Sequence, residues 1–155
     1  METLLAALAS EHALIALFLT AFLAATLLPL GSEWLLVLLI TQHHPLVTVV
    51  WVATLGNTLG GATNYLIGWA GQRWWRNRPH PPRQKARLDQ AQALMKRYGG
   101  AALLFSWLPV IGDPLCVVAG VLRYPLVAFF VLVAVGKFGR YVFLAWATQQ
   151  AIGLS

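Results

Sequence analysis

Leu28-Pro29-Leu30-Gly31-Ser32-Glu33 and, 80 residues later, Leu108-Pro109-Val110-Ile111-Gly112-Asp113-Pro114 decide how this chain folds. Each stretch lies inside an apolar block, and each combines helix breakers with an acid. Proline removes a backbone donor and clashes with the preceding turn, while glycine adds conformational freedom. The first stretch interrupts the block 13–41, which ends at His43-His44-Pro45; the second interrupts the block 101–122. Pro29, Gly31, Pro109, Gly112 and Pro114 are therefore the expected break points. Non-helical backbone is tolerated in hydrocarbon only where protein or water satisfies it. Arms such as 34–42 or 101–108 are about 12–14 Å long as helices, roughly half a bilayer. Such arms suit re-entrant hairpins. A kinked but continuous span is the alternative, since 101–122 just reaches across.

The breaks belong to a longer repeat. At the offset of 80, Pro29 falls on Pro109, Glu33 on Asp113, Pro45-Leu46-Val47 on Pro125-Leu126-Val127 and Gly56 on Gly136. Leucine and valine matches are cheap in apolar sequence; shared proline, acid and glycine positions are not. The block Leu46–Ala70 follows the first break and 125–148 follows the second. At about 36–37 Å each as helices, both span a hydrocarbon core of about 30 Å. Each half is then a hairpin plus one span, an odd number of crossings, so the two halves are inverted. The expected fold class is an all-α polytopic membrane protein. It is one membrane domain over 1–155, with half-repeats at 13–70 and 101–148 and a basic loop at 71–100. Inverted repeats with broken helices and midplane sites are the layout of secondary transporters.

Composition agrees. Of the 155 residues 59% are hydrophobic and 10% charged, with a mean hydropathy of +0.68. Soluble domains carry about 25% charged residues, so a membrane protein is expected rather than a soluble enzyme, and disorder is excluded for most of the chain. Eight of the 11 Lys and Arg lie between Arg73 and Arg97. A basic loop between apolar blocks follows the positive-inside rule rather than nucleic-acid binding, and places 72–98 in the cytoplasm. Hairpins put both termini outside; four plain spans put both inside. The N-terminus lacks the basic start and cleavage site of a signal peptide. Within the loop, Trp74 and Trp75 suit an aromatic belt, and Pro79-His80-Pro81-Pro82 breaks the chain. From Arg83 to Tyr98, Leu88, Ala91, Leu94, Met95 and Tyr98 share one face. This predicts an interfacial amphipathic helix on an anionic leaflet, rather than a solvated connector.

The motifs resemble the DedA family, also called SNARE-associated or VTT-domain membrane proteins. Leu28 to Glu33 is similar to its Pro-x-Pro-Gly-Glu break. Ala53 to Gly60 with Tyr65-Leu66-Ile67-Gly68 is similar to its Gly-rich second segment. Pro109, Ala119-Gly120, Arg123, Pro125, Phe129 and Gly136 follow its second motif. The stretch Ser106 to Pro114 resembles the short YqaA-like branch. The resemblance covers about 13–148. It implies opposed re-entrant hairpins, movement of lipid between leaflets, undecaprenyl phosphate or a phospholipid as cargo, proton-motive-force dependence and a bacterial inner membrane. It carries the family's needed acid onto Glu33. Where the family has a second acid, Gly61 stands here, and Ser106 and Gly112 stand in place of two arginines. A phosphate-binding arginine pair therefore does not carry over.

An ionisable residue at membrane depth is a functional hypothesis by default. Glu33 and Asp113 each begin a helical arm, where a carboxylate caps free N–H groups or couples transport to protons. Lys137 and Arg140 share a face of the last block, placed to pair with those acids or to hold a lipid phosphate. Arg123, before that block, is placed for a head group or for snorkelling at the interface. Gly56, Asn57, Gly60 and Asn64 make a small, polar stripe suited to packing, a wet groove or a homodimer. The adjacent His43 and His44 do not suit one metal, and the single Cys116 forms no internal disulfide and reads as packing. With no nucleophile, redox or phosphate-loop pattern, the expectation is a transporter without metal or cofactor, not an enzyme. Lipid translocation, ion- or proton-coupled transport of a small solute, and a non-transporting assembly role are the three readings.

Overall fold

The structure is a computed structural model that describes residues 2–26, 32–71, 79 and 81–153, with side chains from Glu11 onward. Leu28, Pro29, Gly31, Trp74, Trp75 and His80 lie outside the described residues. The described elements are helical throughout: α1 (Glu2–Thr26), α2 (Ser32–Thr41), α3 (Leu46–Ala70), α4 (Pro82–Tyr98), a 3-10 helix (Gly99–Trp107), α5 (Gly112–Val121) and α6 (Leu126–Ala151). Among the described residues, α3 and α6 are long and apolar enough to cross a membrane. Their outward faces carry Trp51, Leu55, Leu59, Leu66, Val131, Val135, Phe143 and Trp146, exposed as a lipid-facing surface requires.

The 80-residue register recurs in three dimensions. α2 and α5 begin 80 residues apart, as do α3 and α6. The turn between α2 and α3 has His43 at φ 63°, and the turn between α5 and α6 has Arg123 at φ 54°. Both turns close with the same bonds: His43 N to Ile40 O and His44 N to Leu39 O in one, Arg123 N to Gly120 O and Tyr124 N to Ala119 O in the other. A left-handed residue there turns the end carbonyls back onto the chain, and the following proline starts the next helix. The first arm of each break lies on its own long helix: α1 on α3, the 3-10 helix on α6. Of the second arms, α5 lies on the other half's α3, while α2 packs on α3 and α6 about equally.

Three expectations are corrected. α1 begins at Glu2, ahead of the apolar block, because residues 2–12 are mostly strong helix formers with neither proline nor glycine. The arm before the second break is a 3-10 helix, reaching about 18 Å rather than 12–14 Å. It is held close to its neighbours: the Tyr124 hydroxyl fills the space a Cβ would take at Gly100, and the Leu104 carbonyl packs on Gly136. The stripe on α4 is not left for a leaflet. Ala91 and Met95 are buried, and Leu88 and Leu94 pack on the same cluster as Leu103, Leu115 and Val118. α4 therefore docks on α5 and the 3-10 helix.

The buried apolar side chains form two clusters. One gathers Leu17, Leu36, Leu39, Val49, Val50, Ala53 and Tyr141; the other gathers Tyr65, Leu103, Leu115, Cys116, Phe129 and Val133. Leu36 and Cys116, Leu39 and Ala119, Val49 and Phe129, and Ala53 and Val133 are partners in the repeat. Polar side chains lie between the clusters.

Candidate functional site: a charged cavity between the two breaks

Along α6 the buried positions are Phe129, Val133, Lys137, Tyr141, Ala145 and Thr148. This is the spacing of one helix face, with a lysine where packing asks for an apolar residue. Lys137 is 2% exposed. Its Nζ donates to the Asn57 backbone oxygen at 2.8 Å and to Asn57 Oδ1. Asn57 and Lys137 are repeat partners, and each sits roughly 18 Å along its helix, near the middle. Asn57 Nδ2 donates to the Tyr141 hydroxyl at 2.9 Å, which shares a 2.9 Å hydrogen bond with Ser32 Oγ. A polar chain thus runs from Lys137 through Asn57 and Tyr141 to the start of α2.

Glu33 follows Ser32 and forms an ion pair with Arg140: Nη2 donates to Oε1. Arg140 Nη1 donates to the Trp107 carbonyl at 3.1 Å. One guanidinium therefore links α2, α6 and the end of the 3-10 helix. These groups enclose a cavity of about 30 Å³, lined by Ser32, Glu33, Asn57, Ser106, Pro109, Asp113, Lys137 and Arg140 with Ala24, Ala25 and Leu108. That is room for about one or two waters. Ser106 Oγ is buried and has no hydrogen-bond partner among the described residues.

The structure brings Glu33, Asp113, Lys137, Arg140, Asn57 and Pro109 together. It does not bring the other candidates there. Arg123 is exposed in the turn before α6. Asn64 Nδ2 donates to Ala25 O at 2.7 Å. Gly56 and Gly60 face α1: a Cβ on either would sit 2.5 Å from the carbonyl oxygen of Phe18 or Phe22. Their surface is covered within the chain, which corrects its reading as a homodimer face. At Gly112 a Cβ would collide with the Ser106 carbonyl, so no arginine fits there on this backbone. Pro114 borders a neighbouring cavity with Asp113. Ser32 and Tyr141 were not singled out as site residues from sequence, and Ser106 was noted only as standing where the family has an arginine; Tyr141 had a signal, one helical turn beyond Lys137 and beside Arg140. Among the described residues no group of His, Cys, Asp and Glu could hold a metal.

An all-helical bundle with two long apolar helices and a charged pocket at their middle defines a polytopic membrane protein built around an internal polar site. A VTT domain matches residues 28–150. The chain belongs to this family, the DedA family. It is 42% identical over 142 residues to inner membrane protein YqaA of Escherichia coli K12, covering 90% of this chain and 93% of that one. YqaA of Shigella flexneri matches equally, and an uncharacterized protein of Haemophilus influenzae is 38% identical over 136 residues, with 83% and 82% covered. No solved structure matches this chain.

Proposed function

We propose that this protein moves a lipid bearing a phosphate head group between the leaflets of a bacterial inner membrane. In this reading the two breaks are tips of opposed re-entrant hairpins that meet at the midplane, and the halves are an inverted repeat. The observation that carries it is the convergence of Glu33, Asp113, Lys137 and Arg140 on one cavity near the middle of α3 and α6. Charges at that depth are costly without a task. The equivalent packing of α1 with α3 and of the 3-10 helix with α6 supports the repeat. The inner-membrane names of the Escherichia coli and Shigella relatives support the location.

Residues divide the work by their chemistry. Lys137 and Arg140 attract the phosphate, with Arg140 supplying the planar fork that matches it. Glu33 holds Arg140 while the cavity is unloaded and competes with phosphate for it, so a head group displaces one anion with another. Among the described residues Asp113 has no hydrogen-bond or ion-pair partner in the cavity, and it takes the role of exchangeable carboxylate for proton coupling. Ser106 Oγ offers a further hydrogen bond.

The small volume supports a second reading, ion- or proton-coupled transport of a small solute. The two are separated by following lipid exchange and an internal pH dye in the same proteoliposomes. Head-group-dependent lipid exchange supports the first reading. Proton flux driven by a small solute, with no lipid movement, replaces it with the second.

A further inference from the structure

Beside the charged pocket lies a larger cavity of about 560 Å³, between the end of α1, α3, the start of α4 and α5. This is the size of a small-molecule site. Arg83 and Arg87 border it from α4, one turn apart, with Asn64 from α3 and an apolar wall at Val117. Among the described residues neither guanidinium has a hydrogen-bond or ion-pair partner. Two like charges at i and i+4 disfavour the helix they sit on, and an anion between them reverses that. Asp113 borders both this cavity and the inner one.

We propose that Arg83 and Arg87 bind the phosphate monoester of an anionic lipid, at a docking site that leads past Asp113 to the inner pocket. α4 packs on the bundle through Leu88, Ala91 and Met95, which leaves Arg83 and Arg87 on its exposed first turns, at the mouth of the cavity. The two forks meet phosphate oxygens, Asn64 offers an amide, and the wall at Val117 takes the lipid's first carbons. The proposal rests on the lipid reading above and names its entry site.

The test is equilibrium binding by the full chain in detergent, with short-chain phosphatidic acid, short-chain phosphatidylcholine and inorganic phosphate as probes. Arg83→Gln/Arg87→Gln is compared with Lys96→Gln/Arg97→Gln, which removes the same charge from the far end of α4. The expected result is a loss of roughly tenfold or more in phosphatidic acid affinity for the first variant and little change for the second. Phosphatidylcholine should bind weakly throughout. Equal losses in both variants would overturn the site in favour of general electrostatics. Inorganic phosphate binding as tightly as phosphatidic acid would overturn the lipid assignment and make the free anion the ligand. Arg83→Lys/Arg87→Lys keeps the charge but loses the fork. It should fall between the two, and full affinity in it would contradict bidentate binding. Binding is read without translocation, so intact binding with no leaflet exchange counts against transport alone, and absent binding with intact exchange counts against this site alone.

Discussion

Lys137 shows how a single residue carries the reading. It interrupts an apolar stripe, and its ammonium is satisfied by one partner, Asn57. Removing it strands Asn57 Oδ1 in a buried site, a cost of about 1–3 kcal/mol. Lys137→Ala should therefore lower the thermal midpoint in detergent, while Lys137→Met, which keeps the volume, should lower it less and still abolish exchange. Glu33 and Arg140 form the second pair. Each single change to Gln should destabilise, and the double-mutant cycle should return a coupling of about 1 kcal/mol, as for a partly exposed pair. A coupling near zero would remove the pair from the account. These three charges, and Asp113 with them, were legible in the sequence because charge inside an apolar block stands out. Ser32 and Tyr141 were not: hydroxyls are ordinary in such helices, and the bond from Ser32 to Tyr141 joins residues 109 apart in the chain.

Elements were legible where periodicity and breakers agree. α3 occupies the expected 46–70, and α4 begins one residue before the expected Arg83. Partners were less legible, since a stripe reveals that a face is apolar but not what covers it. The face of α4 meets α5, and the Gly56/Gly60 face meets α1. Two glycine changes test this packing with opposite signs. Gly60→Val places a branched side chain where α1 passes, with Phe22 O and Ala25 Cβ within 2.6 Å of a Cβ, and should cost about 1–3 kcal/mol. At Gly139 on α6 a Cβ meets nothing within 4 Å, so Gly139→Ala should stabilise by about 0.5–1 kcal/mol. Thermal unfolding in detergent reads both. If Gly60→Val were harmless, α1 would not be seated on α3.

For the whole molecule, the proposal of opposed hairpins competes with four plain spans. The two arrangements share a cytoplasmic basic loop but differ at the termini and at the turn containing Arg123. In a Cys116→Ala background, single cysteines at Glu11 and Gln150 should react with an impermeant maleimide added outside. Cysteines at Gln90 and Arg123 should not. Labelling of Arg123→Cys with protection of both ends would establish four spans instead. Charge counting could not make this distinction, because both arrangements leave the same loop inside.

The most direct measurement is leaflet exchange of a fluorescent polyprenyl phosphate in proteoliposomes, with wild type beside Glu33→Gln and Lys137→Met at matched folding. The account predicts exchange by wild type, faster under a proton gradient, and a fall of about tenfold or more in each variant. Stable wild type that exchanges no phosphate-bearing lipid, with or without the gradient, would contradict it, as would exchange that ignores both charges.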